Sequence, residues 1–338
     1  MKLGSPPLQT ILFGSTGTGK SHMVNNEIIP ENLEILDEKN NTVRTVFHPE
    51  YSYSDFMGKV MPITNNKGSI EYNYYAGHFL RAVGKAYSNI LENGEDAERV
   101  ALVIDEINRG NSSSIFGNVF QLLDRDRSGW SENPVNISDL QFGKLMDISG
   151  MEVARESDDS YRFDYGGERR YDDEVNEVLD SNNLRIRRNQ IMIPYNLSIL
   201  ATMNTSDSSV FYMDTAFKRR WEWQYVNTKS ECPRKKGIAF NNRKEWEEFV
   251  NSVNVFIKKN HTYIRNVENY LIGHWFIPKE EIAYYDVQNK LMFYMWDSVF
   301  SKSKGPLRDL IGSDDEEITT FGDFSSRVED FINKVKQH

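Results

Sequence analysis

Apolar residues in this chain gather in short continuous blocks separated by polar, helix-compatible stretches. Gln9-Thr-Ile-Leu-Phe13 has the texture of a buried strand and runs directly into Gly14-Ser-Thr-Gly-Thr-Gly-Lys-Ser21, after which His22 to Ile29 suit a helix. Val43–Phe47, Val100–Ile104, Asn196–Met203 and Glu222–Val226 are four further strand candidates, with a helical stretch at Gly77–Glu92. Ser112–Asp124 carries Ile115, Val119, Leu122 and Leu123 at the i, i+4, i+7, i+8 spacing of an amphipathic helix. Continuous apolar strands alternating with helices predict a parallel sheet covered on both faces, a three-layer α/β core with a five-stranded parallel sheet over residues 1–226. Beyond 226 the periodicity turns helical, in Glu245–Ile257, Lys290–Phe300 and Phe324–Val335, which predicts a smaller, mostly helical domain over 227–338.

Residues 128–190 interrupt this scheme with Gly, Ser, Asn, Asp and Arg and little periodicity, the profile of a long functional or disordered loop. Charge sharpens the picture. The chain has 338 residues and a formal charge of −10, and residues 152–180 alone hold eleven acids against four arginines. A chain of that charge repels a polyanion as a whole, so any nucleic-acid contact is local. Apolar runs fall well short of the ~20 residues of a membrane span, and the N-terminus has no signal-peptide pattern. A single cysteine, Cys232, excludes an intrachain disulfide. Together these predict a cytoplasmic protein with no membrane contact.

Gly14-x-x-x-x-Gly19-Lys20-Ser21, after a strand and before a helix, is the pattern of a phosphate-binding loop. Gly14, Gly17, Thr18, Gly19, Lys20, Ser21 and His22 make up the expected nucleotide contact. The glycines let backbone N–H groups turn toward phosphates, Lys20 meets the β- and γ-phosphates, and Ser21 ligates Mg²⁺. Val100-Ala-Leu-Val-Ile-Asp105-Glu106 delivers two adjacent carboxylates at a strand end. Asp105 is placed on the Mg²⁺ side and Glu106 as the base that polarises water, a pairing that favours hydrolysis over transfer to a hydroxyl substrate. Asn204 ends the next buried strand, where an amide can hold the γ-phosphate or the water; a plain turn-forming Asn is the other reading. Lys218-Arg219-Arg220 precedes the fifth strand, where three cations form either a solvated face or an arginine offered to a neighbour's γ-phosphate.

These elements resemble the AAA+ ATPase class and, within it, the GTP-hydrolysing motor subunit of McrBC-type restriction systems. The matching residues are Ile104-Asp-Glu-Ile-Asn-Arg-Gly-Asn111 with Ile115-Phe-Gly117, Met203-Asn-Thr-Ser-Asp-Ser-Ser209, Phe217-Lys-Arg-Arg-Trp221, Phe47-His-Pro-Glu-Tyr-Ser-Tyr-Ser-Asp-Phe56 and Ile272-Gly-His274. They span the chain apart from 128–190. The resemblance implies that Asn204 is a sensor residue, that Asp207 belongs to a signature loop, and that Arg219 and Arg220 act in trans in a homohexamer. Serine stands at 208 where the family has arginine. It further implies an McrC-like nuclease partner, with DNA reached through the complex rather than by this chain alone. The first strand begins almost at the N-terminus and no paired-carboxylate-plus-lysine nuclease motif is visible, so the expectation is a motor without its own reader or nuclease.

The phosphate loop does not distinguish GTP from ATP; the resemblance points to GTP. A MoxR-like or dynein-related factor that remodels protein complexes is the alternative. His48, His78, His261 and His274 lack zinc-site spacing, so no metal beyond Mg²⁺ is expected. Tyr72, Tyr74 and Tyr75 and the block Leu291-Met-Phe-Tyr-Met-Trp296 are expected to pack rather than stack on bases. Arg185, Arg187 and Arg188 suit either a protected strand edge or contact with DNA or a threaded substrate.

Overall fold

The structure, a computed structural model, describes residues 6–64, 68–155, 161–165, 167–171, 174–181, 183–205, 211, 213–227, 237–312 and 318–337. Two compact units divide the chain at Trp221/Glu222. The apolar blocks become β1 (Gln9–Gly14), β2 (Thr42–Val46), β3 (Val100–Asp105), β4 (Leu197–Asn204) and β5 (Glu222–Tyr225). They form one five-stranded sheet in the order β5-β1-β4-β3-β2. The pairs β1–β4, β4–β3 and β3–β2 are parallel, with Gly14 opposite Asn204, Ala201 opposite Ile104 and Val46 opposite Asp105. Every apolar residue of β3 and β4 is buried, as strands covered on both faces require.

Helix His78–Asn93 appears where expected and turns Phe79, Leu80, Ala82, Val83, Ala86, Tyr87 and Ile90 inward. The amphipathic stretch at 112–124 is not one helix. An α-helix, Ser112–Phe116, stops at Gly117, whose φ is +53°, and a 3-10 helix continues through Leu123. Glycine permits that left-handed turn and the close approach of Tyr53, whose ring would lie 2.8 Å from a Cβ at position 117. All four apolar positions are buried regardless.

The Phe47–Phe56 motif is architectural. Phe47 is buried, Tyr51 stacks on it at 4.9 Å, and Tyr51 Oη bonds His78 Nδ1 at 2.8 Å. Burial holds the Tyr51 phenol up at about 12 and pushes His78 below the usual imidazole range. Ser52 and Asp55 form a capping box for the short helix Tyr53–Met57. That helix launches a feature absent from the sequence reading, an antiparallel hairpin of Gly58–Thr64 and Ile70–Ala76. Its signal was masked by Pro62 and by weak alternation. Tyr72 and Tyr75 are 72% and 46% exposed on it, contrary to the packing expected of them, while Tyr74 donates to the Met57 carbonyl.

Residues 128–190 are not a structureless loop. Val135–Asn136 and Gln190–Ile191 pair antiparallel and close the insertion at its base. Helix Asp139–Ile148 starts with a Ser138–Gln141 capping box, and Glu152–Arg155, Tyr161–Tyr165 and Glu168–Tyr171 form a three-stranded antiparallel sheet. Helix Val175–Ser181 follows, and the core of the insertion includes Phe142 edge-on to Phe163 at 5.9 Å. The period-2 alternation of Tyr161, Phe163 and Tyr165 was its one readable trace. Arg185 and Arg188 bridge to Asp126 at 3.1 Å and Asp139 at 3.7 Å, and Arg187 pairs with Asp180, so these arginines face acids rather than a strand edge.

The second unit contains helices Arg243–Lys259, Phe321–Ser326 and Val328–Val335, and the 290–300 stretch forms π-helical turns at Val287–Met292 and Met295–Val299. Leu291 to Met295 are buried, as expected of that block. Ile272 exchanges two hydrogen bonds with Asn254, at 2.8 and 2.9 Å, and the His274 carbonyl accepts from Trp246 Nε1 at 2.8 Å, so this motif shapes the unit. Among the described residues no helix is long and apolar enough to cross a membrane.

One buried cation ties the insertion to the sheet. Arg125 donates to Gln9 Oε1 and to the carbonyls of Gly129, Pro194 and Leu197 at 2.8–3.3 Å, and loss of solvent lowers its guanidinium to about 9. Arg125→Ala strands those acceptors, and we expect a loss of about 3 kcal/mol, seen as a drop of roughly 6–12 °C in the first unit's melting temperature.

Candidate active site

The site is built at the carboxyl ends of three adjacent parallel strands, where open α/β sheets bind their ligands. β1 ends in Gly14 and the loop that follows turns through Gly17 and Gly19, with φ of +80° and +86°. A Cβ at either glycine would meet nothing within 4 Å, so the loop has an open face toward which backbone N–H groups can point. Lys20 is 7% exposed, and its Nζ donates to the carbonyls of Gly14 at 3.0 Å and Ser15 at 2.7 Å. Thr18 Oγ1 donates to the Ser15 carbonyl at 3.0 Å and braces the same turn. A helix begins at Lys20 and widens into π turns from Val24 to Asn32. Ser21 and His22 are exposed in its first turn. An open glycine loop with a lysine ammonium suits a phosphate chain, and the Ser21 hydroxyl and the strand-end Asp105 carboxylate are oxygen donors of the kind Mg²⁺ takes.

β4 supplies the element that organises the acids. Thr202, 3% exposed, donates from Oγ1 to Asp105 Oδ1 at 2.9 Å and accepts from the Glu106 N–H at 3.2 Å. Two residues on, Asn204 Nδ2 donates to Glu106 Oε1 at 2.5 Å. Asn108, buried, donates to the Asn204 carbonyl at 3.0 Å and so holds the end of β4. Glu106 has φ +56°, an unusual conformation for a residue with a side chain and one that costs about 1–3 kcal/mol. The strain turns Glu106 out of line with β3 toward Asn204. Thr202 and Asn108 were missed by the sequence reading. For Thr202, a hydroxyl two residues before the strand-end Asn204 in the mostly apolar run Leu197–Met203 was the available signal.

The arginines differ sharply. Arg220 bonds Asp124 through Nε and Nη2 at 2.9 and 2.6 Å, donates to the Ala216 carbonyl and lies over the Phe120 ring at 4.5 Å. Arg219, its neighbour, is exposed and makes no side-chain hydrogen bond or ion pair with a described residue. Both follow the helix Thr215–Lys218, capped by Asp214, which also accepts from Ser113 Oγ at 2.6 Å. Burial alone would raise the Asp214 carboxyl, but the Ser113 hydroxyl and the Phe217 and Ala216 amides outweigh it and hold it below the usual range. Asp207 and Ser208 lie outside the described residues.

Comparison with known proteins agrees with this geometry. The family model described as an AAA domain of the dynein-related subfamily matches residues 9–148, from β1 into the insertion. The Type II restriction enzyme BsuMI component YdiS of Bacillus subtilis (strain 168) is 28% identical over 330 residues, covering 88% of this chain and 81% of that protein. The Type IV methyl-directed restriction enzyme EcoKMcrB subunit of Escherichia coli (strain K12) is 26% identical over 246 residues, 72% of this chain but 40% of the relative's length. The phosphate loop, the strand-end acid pair and the amide on the strand between them thus belong to a chain whose residues 9–148 match an AAA domain and which is similar over most of its length to a restriction-enzyme component.

Proposed function

We propose that the chain is the nucleoside triphosphate-hydrolysing motor of an McrBC-like DNA restriction system, using GTP or ATP and driving a separate nuclease subunit. The observation that carries the reading is the Asn204–Glu106 bond at the ends of adjacent strands, beside a phosphate loop. Lys20 exchanges its loop carbonyls for β- and γ-phosphate oxygens. Ser21 and Asp105 would hold Mg²⁺, which would supply charge neutralisation at the phosphates. Glu106 accepts a proton from the attacking water through the carboxylate that Asn204 orients, and Thr202 keeps Asp105 in place. Arg219, without a side-chain partner among the described residues, serves the γ-phosphate of a neighbour in a homohexamer, while Arg220 is held in cis by Asp124.

A second reading, a remodeller of protein complexes, draws on the dynein-related description of the matched domain. Two long matches to restriction components favour the first. The words "component" and "subunit" in the relatives' names support a partner, which we take to be an McrC-like nuclease with DNA reached through the complex. Steady-state GTPase and ATPase rates of the purified chain, with and without the product of a neighbouring nuclease gene and DNA, test it. We expect slow hydrolysis alone, no DNA cleavage, and stimulation by the partner. Cleavage by the isolated chain, or indifference to every nuclease partner, overturns the reading.

Lys20→Ala is expected to weaken binding of a labelled triphosphate by roughly 10–150-fold, the loss of a charged contact of about 1.5–3 kcal/mol. Glu106→Gln keeps an Oε1 acceptor for Asn204, so binding should persist while turnover falls about 10²–10⁴-fold. Single-turnover rates beside binding isotherms separate these outcomes.

Arg219→Ala is expected to cut turnover by about 10³-fold or more with triphosphate binding and melting temperature unchanged. Arg220→Ala should instead lower stability by about 2 kcal/mol, since it strands Asp124. Mixing Arg219→Ala with Lys20→Ala chains should restore part of the activity, because mixed rings contain interfaces with both groups intact. No recovery at any ratio counts against a role in trans.

A further inference from the structure

The second unit carries a cleft of about 170 Å³ between the segment 263–270 and the turn 299–302, far along the chain from every residue of the nucleotide site. Arg265 and Lys302 line it from opposite segments, both exposed and neither engaged in a side-chain hydrogen bond or ion pair with a described residue. Asn266, Asn269, Tyr263, Tyr270 and Ser301 complete its polar lining. Each of these seven side chains can donate a hydrogen bond, and no carboxylate is among the lining residues. Glu268, the one acid between 258 and 270, is outside the lining. Asn266 takes φ +56°, which turns the backbone so that 265 and 269 border the same cleft.

A donor-rich lining without a carboxylate, with two cations from separate segments that pair with no described residue, suits a doubly contacted anion, and phosphate oxygens are acceptors of that kind. Two further features separate a strand of phosphates from a single small anion. Lys258 and Lys259 continue the positive charge beyond the cleft at the end of helix Arg243–Lys259, and the Tyr263 ring, 47% exposed, stands beside the cations as a face for a base. Residues 258–270 and 299–304 hold five lysines and arginines against one acid in a chain whose formal charge is −10. We propose that this cleft binds the backbone of a single-stranded nucleic acid, one phosphate between Arg265 and Lys302 and a base against Tyr263. The contact reads no sequence. It gives the second unit a grip on nucleic acid while recognition of a particular site lies elsewhere. It does not depend on the hydrolysis reading.

Fluorescence anisotropy of the full chain with a labelled single-stranded oligonucleotide, titrated over a salt series, tests it. The wild-type chain should bind, and the double variant Arg265→Ala/Lys302→Ala should bind at least about tenfold more weakly. Its salt dependence should be shallower by about 1.4 in log–log slope, the share of two phosphate contacts on a single strand. Tyr263→Ala should weaken binding while leaving that slope unchanged. All three side chains are exposed, so the variants should keep the wild-type melting temperature and basal hydrolysis rate. Lys20→Ala should leave oligonucleotide binding unchanged, which separates failure of this inference from failure of the nucleotide reading. Three results would overturn it: no oligonucleotide binding, an unchanged slope in the double variant, or poly-glutamate binding in preference to the oligonucleotide, which would assign the cleft to an acidic protein. Displacement of the oligonucleotide by low millimolar inorganic phosphate, with no effect of Tyr263→Ala, would reduce it to a small-anion site and likewise overturn it.

Discussion

Everything in the nucleotide site depends on the register of three parallel strands. Gly14 lies opposite Asn204, and Ala201 opposite Ile104, so Thr202 falls beside Asp105 and Asn204 beside Glu106. Side chains alternate faces along a strand, so a slip of one residue would move Thr202 and Asn204 to the wrong side of the sheet and break both bonds at once. The buried apolar residues of β3 and β4 prevent that slip, because it would expose or misplace each of them. Core packing is thus the means by which the side chains of the candidate site are set within hydrogen-bonding distance.

The same core extends toward the arginines. Phe56 packs on Phe79 at 5.1 Å and on Phe116 at 4.7 Å, and Phe116 meets Phe217 at 5.2 Å and Trp221 at 6.2 Å. Phe116 ends the helix that follows the acid pair, and Phe217 belongs to the helix that precedes Arg219. The Ser113–Asp214 hydrogen bond joins the same two helices at their surface. Aromatic contacts of this kind contribute about 0.5–1.5 kcal/mol each beyond area burial, enough to make the two helices a single mechanical piece. Arg219, which has no side-chain partner among the described residues, is therefore carried on a packed helix rather than on a free loop.

Two additions are attached to this frame by different physics. The hairpin of Gly58–Thr64 and Ile70–Ala76 stands on a capping box and a cluster of buried aromatics, and it leaves Val60, Met61, Ile70 and Tyr72 exposed. The acidic insertion is closed by a two-residue strand pair and by Arg125, which binds carbonyls on both of its flanks. Concentrating acids at 152–180 leaves the rest of the chain near neutrality, so a local cluster of cations such as that around Arg265 and Lys302 is not cancelled by its surroundings.

Sequence alone determined the elements whose signal is local and repetitive. Five strands, the helix His78–Asn93, the phosphate loop and the acid pair were legible because continuous apolar runs, glycine spacing and strand-end carboxylates act over a few residues. The helical character of the last third was legible for the same reason. Tertiary structure decided what depends on neighbours far apart in the chain. The helix at 112–124 breaks at Gly117, whose φ of +53° lets Tyr53 pack against the bare backbone. The insertion folded because short, charged strands found partners that no local pattern announces. Thr202 and Asn108 became site residues only when the sheet placed them beside Asp105 and Asn204. Arg219 and Arg220, indistinguishable as adjacent letters, were separated by one acid, Asp124, that lies 96 residues earlier and lies against only one of them. Periodicity specifies which face of an element is buried, but a hydrogen bond or ion pair needs two groups within about 3 Å, and that separation is set only when the whole chain has packed.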